Sequence, residues 1–126
     1  MWVILMELQK IECEFSVCKI GCIEQVDFSR GYVFLHKTPD EVSLVCESAY
    51  VPPDCIAVEA GWRALMVSGV LDFSLVGIIA GISRLLTDAG ISIFVVSTYN
   101  TDYVLLKDLD FDKGVQVLIS GGYVVV

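Results

Sequence analysis

Basic side chains are scarce in this chain: eight Lys and Arg stand against sixteen Asp and Glu, for a formal net charge of -8. They are also scattered singly, so no basic patch can hold a phosphate backbone or an anionic lipid surface, and neither nucleic acid nor membrane is expected as a partner. Histidine is reduced to His36. The five cysteines (Cys13, Cys18, Cys22, Cys46 and Cys55) contain no Cys-x-x-Cys pair. The ligand spacing of a zinc or redox centre is therefore missing, no metal or cofactor is expected, and the thiols are read as small buried hydrophobes. Long apolar runs are missing as well, since none approaches the roughly 18 residues of a membrane span. The apolar stretch at residues 2–6 is interrupted by Glu7 and follows no basic region. It is not read as a signal peptide, and the expected location is the cytoplasm.

What the chain has in excess is apolar surface, with 56% hydrophobic residues and a mean hydropathy of +0.72. Its 126 residues suit one ordinary domain or two half-size units sharing a core, and the apolar surplus points to interfaces. Leu75, Ile78, Ile79, Ile82, Leu85, Leu86 and Ala89 recur at helical spacing. They predict a helix over residues 74–89, capped by Asp72 or Ser74 and stopped by Gly90 in a left-handed conformation. A strand over residues 91–97 follows, with Ile91, Ile93 and Val95 on one face and Phe94 and Val96 on the other. Both faces are apolar and must be covered, by a second sheet, the other half of the chain or another subunit; a homodimer is expected.

Taken in order, residues 62–126 read as strand (62–67), helix (74–89), strand (91–97), strand (103–107), helix (110–120, with Asp110 as cap and Gly121-Gly122 as stop) and strand (123–126). That is the split βαβ, ferredoxin-like order. The first half is strand-rich. A hairpin of residues 2–9 and 14–20, turning at 10–13, precedes an irregular stretch and a strand at 32–36. Thr38-Pro-Asp-Glu41 has the cap, first-position proline and third-position glutamate of a helix start, but the run at 42–46 has strand length, so one turn and then a strand is expected. The Val51-Pro-Pro53 breaker and a brief pairing at 56–59 complete the half, which lacks a long helix and reads as a degenerate copy of the second.

The set Phe15-Ser-Val-Cys18, Thr38-Pro-Asp-Glu-Val-Ser-Leu-Val-Cys46, Gly61-Trp62, Gly69-Val-Leu-Asp-Phe-Ser74, Gly77-Ile78 and Ser97-Thr-Tyr-Asn-Thr-Asp-Tyr103 resembles short stand-alone bacterial proteins made of two ACT-like units. ACT domains are the amino-acid-sensing modules in the regulatory parts of aspartate kinases and other amino-acid enzymes. The resemblance implies an α+β fold of two ferredoxin-like (ACT, βαββαβ) units, with antiparallel sheets and helices packed on one face. It divides the chain into an N-terminal degenerate unit at 1–60 and a C-terminal ACT domain at 61–126. It also implies a regulatory sensor without catalytic machinery that binds a free amino acid at the interface between ACT units and acts on a partner enzyme or regulator.

The residues themselves suggest where such a ligand sits. The stretch Leu71, Asp72, Phe73, Ser74, Val76, Gly77 and Ile78 joins a strand to a helix start, where backbone N–H groups and the helix dipole favour a carboxylate. Gly77 and Gly81, four apart on one helix face, also fit a simpler reading, in which they only let the helix lie close on the sheet. In the polar turn Thr98, Tyr99, Asn100 and Asp102, Asn100 would suffice to reverse the chain. Asp102 is either a solvated turn aspartate or a countercharge for an α-ammonium or basic side chain, with Tyr99 as an apolar wall. Thr38 and Ser43 are the first-half residues that could line the opposite side. Two other functions are weighed: a ligand-free structural association module and a small acylphosphatase-like hydrolase. The hydrolase would need a phosphate-cradling loop with an Arg after the first strand, and Arg30 precedes a different strand.

Overall fold

The computed structural model describes residues 7–68 and 77–126. It divides into two compact units, one comprising the chain up to Glu12 with Arg63–Val126, the other Cys13–Trp62. Two long strands, β1 (Glu7–Ile20) and β4 (Ala57–Val67), cross that division and give one half to each unit.

In the unit Cys13–Trp62, β2 (Val33–Lys37) and β3 (Val42–Glu47) form an antiparallel hairpin, and β3 pairs with β1 from Phe15↔Glu47 to Ile20↔Val42. Single 3-10 turns at Ile23–Gln25 and Ser48–Tyr50 stand where a βαββαβ unit would have helices. Cys18, Ile20, Leu44 and Cys46 form a small core under Val26, Val33, Leu35, Val42, Val51 and Cys55. The alternation of β1, in which Cys18 and Ile20 are buried while Lys19 is exposed, puts these residues on one face.

The larger unit continues from the second half of β4 through α1 (Ile78–Asp88), β5 (Ile93–Ser97), β6 (Asp102–Lys107), α2 (Asp108–Ser120) and β7 (Val124–Val125). Its strands run β4-β6-β5 on one side, with β5 and β6 antiparallel from Ile93↔Leu106 to Ser97↔Asp102. On the other side of β4 lies the first half of β1, and β7 pairs with β1 in parallel at Glu7↔Val124 and Leu8↔Val125. The main chain confirms the insertion: Ser68 N–H donates to Glu7 O at 2.9 Å and Lys10 N–H to Val126 O at 2.8 Å. Both helices pack on one face, where Ile82, Leu86, Phe111, Val115 and Leu118 meet Leu8, Leu65, Val67, Val104 and Leu106. Each such side chain contributes about 1.5–3 kcal/mol on burial, so this layer is the main store of stability in the unit.

The structure is thus α+β, with two α-helices and a sheet whose β1–β3, β2–β3 and β5–β6 pairs are antiparallel and whose β1–β7 pair is parallel, and it corrects several expectations. There is no turn at residues 10–13. That stretch carries no Gly, Pro, Asn or Asp; the buried face shifts between Leu8 and Ile11, but Ile11 and Phe15 stay buried among exposed Lys10, Glu12 and Glu14, and one 14-residue strand forms. Likewise the pairing at 56–59 and the strand at 62–67 are one strand, β4, which runs through Gly61 at a φ of 85°. Helix α1 begins at Ile78, because Gly77 has a left-handed φ of 83° that a helix interior does not admit; the expected caps Asp72 and Ser74 lie outside the described residues. Helix α2 begins at Asp108 after Lys107, so Asp110 lies inside the first turn, where it interacts with the helix dipole instead of capping. Gly90 does take the left-handed conformation after α1, with a φ of 75°.

Candidate functional site

Of the residues expected to bind a ligand, Leu71, Asp72, Phe73, Ser74 and Val76 lie outside the described residues. The rest of that stretch is the start of α1. Gly77 occupies the N-cap position, and no side chain among the described residues caps the helix. The Gly77 carbonyl accepts from Gly81 N–H at 2.9 Å, and a Cβ added to Gly77 would meet nothing within 4 Å. A Cβ on Gly81 would lie 3.0 Å from the Tyr123 hydroxyl, so that glycine makes room for β7's neighbour and needs no ligand to explain it.

The β5–β6 turn is built by its threonines. Thr98 N–H donates to Thr101 O at 2.8 Å, and the Thr98 hydroxyl donates to the same carbonyl at 3.0 Å while accepting from Thr101 N–H at 3.3 Å. Asn100 is not left-handed, since no non-glycine residue among the described ones has a positive φ; the Thr98 side chain closes the turn in its place. Thr101, absent from the sequence-based candidates, is buried, and its hydroxyl donates to Val67 O at 2.5 Å. That bond fastens the turn to the last residue of β4, the strand whose following connection opens α1. A polar residue in a polar loop carries no sequence signal of such burial. Asp102 opens β6, half-buried and opposite Ser97, whereas Tyr99 is 81% exposed.

Thr38 and Ser43 belong to the other unit. Thr38 starts the β2–β3 turn, not a helix: its N–H donates to Glu41 O at 2.9 Å, and its hydroxyl accepts from Asp40 and Glu41 N–H, both at 3.2 Å. It shares two bonds with the Thr98 turn, the first-to-fourth main-chain bond and the fourth N–H donating to the first hydroxyl, and differs in the third. Ser43 lies in β3 opposite Lys19.

The thiols divide. Cys18 and Cys46 are buried, Cys13 and Cys55 half-buried, and Cys22 exposed, which corrects the reading of all five as buried. Burial, then the neighbouring Cys46 and Cys55, push the Cys18 thiol up to about 12, so it is a packing group and not a nucleophile. Among the described residues no group of three His, Cys, Asp or Glu is placed to hold a metal ion. Nor, among them, is any helix long and apolar enough to cross a membrane.

No curated protein sequence matches the chain. Among solved structures it is similar to a protein of Agrobacterium tumefaciens, with 27% identity, a TM-score of 0.85, and coverage of 98% of this chain and 94% of that one. A Vibrio cholerae protein of unknown function, described as a possible transport protein, shares 17% identity over 93% of this chain and 90% of its own, at a TM-score of 0.71. The regulatory subunit of aspartate kinase from Thermus thermophilus shares 11% identity over 86% of this chain and 93% of its own, at 0.58; these last two likenesses show the fold alone. The family model described as "ACT domain" matches residues 57–120, from the first residue of β4 to the last of α2 and just over half of the sequence, and on that match the chain belongs to the ACT domain family.

Proposed function

We propose that this protein is a regulatory ACT protein that binds a free amino acid at the end of its C-terminal unit where α1 starts and the β5–β6 turn lies. The observation that carries the reading is the hydrogen bond from Thr101 to Val67 O, which holds the Asp102 turn at the end of β4. The start of α1, capped by no described side chain, supports it, because backbone N–H groups and the helix dipole there suit an α-carboxylate. Asp102 supplies the countercharge for the α-ammonium or a basic side chain. The role is binding and signalling to a partner enzyme or regulator rather than catalysis. The N-terminal unit is read as a second, degenerate ACT unit, on the strength of its matching strand order and repeated threonine turn.

The protein is further read as a homodimer. Strand β5 ends the strand order, and its Ile93, Phe94 and Val95 are only half-buried in the single chain, so a second copy on that edge would complete their burial. Thermal unfolding in the presence of each of the twenty amino acids tests the function. One or a few should raise Tm, since a ligand at ~100 times its Kd adds about 2.7 kcal/mol. No shift with any of them would favour the ligand-free association module.

A further inference from the structure

The cover of the N-terminal unit leaves apolar side chains outside. Its 3-10 turns at Ile23–Gln25 and Ser48–Tyr50, and the loop that follows the first, carry Ile23, Phe28 and Tyr50, all exposed, Phe28 at 63%. They lie in one patch: Val26 N–H donates to Ile23 O at 3.1 Å, and the Arg30 guanidinium, two residues past Phe28, stacks 4.4 Å from the centre of the Tyr50 ring. On α2, by contrast, the exposed Leu109 and Ile119 stand at opposite ends of the helix. The backbone around Phe28 is tied, because the Asp27 carboxylate before it accepts from Ser29 N–H at 3.0 Å and from Arg30 Nε–H at 3.2 Å after it. An aromatic side chain presented on a tied turn loses little freedom when a partner covers it. Next to the Arg30–Tyr50 pair, Val26, Val33, Leu44 and Cys46 line a recess of about 10 Å³, room for the tip of one aliphatic side chain.

The charge around this patch has one sign. The unit Cys13–Trp62 holds eight Asp and Glu against three Lys and Arg. Four of the acids belong to the patch: Glu24 in the first turn, Asp27 and Glu47 on the wall of the recess, and Asp54, whose carbonyl accepts from Gln25 Nε2 at 3.3 Å. Arg30, the cation within the patch, is paired with Asp27, and Lys19 and Lys37 line a separate hollow at the β2–β3 turn. An acidic rim around exposed apolar groups attracts a basic surface and repels an acidic one. It therefore disfavours both a second copy of this chain, at a net charge of -8, and an anionic membrane. We propose that the turn-covered side of the N-terminal unit is the docking face for a protein partner whose contact segment is basic and amphipathic. This face lies in the other unit from the amino-acid site and does not rest on that reading; it is tested with no amino acid present.

The test titrates a synthetic amphipathic peptide of leucine and lysine into the full chain and follows amide resonances, beside its leucine–glutamate counterpart and a lysine–serine peptide without apolar groups. The leucine–lysine peptide should bind, move resonances at residues 23–30 and 47–50, and weaken as salt rises. The other two should bind at least about tenfold more weakly, since each lacks one of the two complementary features. Phe28→Ser should weaken binding about tenfold, as for the loss of a central aromatic contact, and leave the thermal unfolding midpoint unchanged. The double variant Glu24→Gln, Asp54→Asn should bind more weakly at low salt, with a shallower salt dependence and the same unfolding midpoint. Equal affinity for the three peptides, resonance shifts centred elsewhere, such as at Leu109 and the aspartates of α2, or full affinity in Phe28→Ser overturns the proposal. So does a fall in mass by light scattering in Phe28→Ser, which would make the patch an interface between copies. Binding of the wild type, but not of Phe28→Ser, to vesicles of anionic lipid would make it a membrane contact and overturn it as well.

Discussion

The two units have the same strand sequence and the same threonine-closed hairpin turn, yet they cover their sheets differently. The C-terminal unit lays α1 and α2 over one face and fills the layer with Ile82, Leu86, Phe111, Val115 and Leu118. The N-terminal unit has only 3-10 turns there, and its core is Cys18, Ile20, Leu44 and Cys46 under loop residues such as Val51 and Cys55. Small thiols fill that thin layer beside Ile20 and Leu44. Strand β1 is shared between the two units: its first half belongs to the unit that carries the helices.

The largest effect should come from cutting that sharing. A fragment of residues 61–126 lacks Leu8, which is fully buried in the helix-covered core, and lacks the strand to which β7 pairs. It should show no cooperative unfolding transition by circular dichroism, while the full chain should show one; a stably folded fragment would mean that β1 is dispensable to the C-terminal unit. In the full chain, Leu8→Ala should cost about 2–5 kcal/mol in denaturant unfolding, the usual range for emptying a buried leucine site.

How far the sequence reveals this arrangement depends on the range of the interactions. Helix α2 and strands β3, β5 and β6 are legible because period and breakers agree locally: Phe111, Val115 and Leu118 make a stripe, and Gly121-Gly122 ends it. The long strand β1 is misread where charged residues at 10, 12 and 14 resemble a turn, although Ile11 and Phe15 are buried among them. The insertion of β1 beside β7, and the burial of Thr101 against Val67 O, are set by partners distant in sequence and leave no local mark.

A smaller contrast lies in the thiol that fills the thin core. The Cys18 pKa is raised from 9.0 to about 12, first by burial and then by Cys46 and Cys55. A raised folded-state pKa adds stability that is fully present below the unfolded value and disappears as pH rises from about 9 toward about 12. Alkaline titration followed by unfolding should therefore show stability falling through that window, and Cys18→Ala, though less stable at neutral pH, should fall less.

The turns sharpen the comparison from the other side, since they are where the units agree. Thr101→Val removes the bond to Val67 O and should cost about 1–3 kcal/mol, because the carbonyl is left without its donor. Thr38→Val and Thr98→Val each lose one turn-closing hydroxyl and should each cost about 1 kcal/mol in denaturant unfolding. Costs that differ widely would show that the two turns are alike in geometry only.

Asp102→Ala is expected to change stability least, within about 0.5 kcal/mol, because it removes no buried contact. It is also the variant that bears most directly on function. Calorimetric titration of folded Asp102→Ala with the amino acid that most raises the wild-type Tm should show no measurable binding. Affinity equal to that of the wild type would contradict the placement of the ligand at the β5–β6 turn.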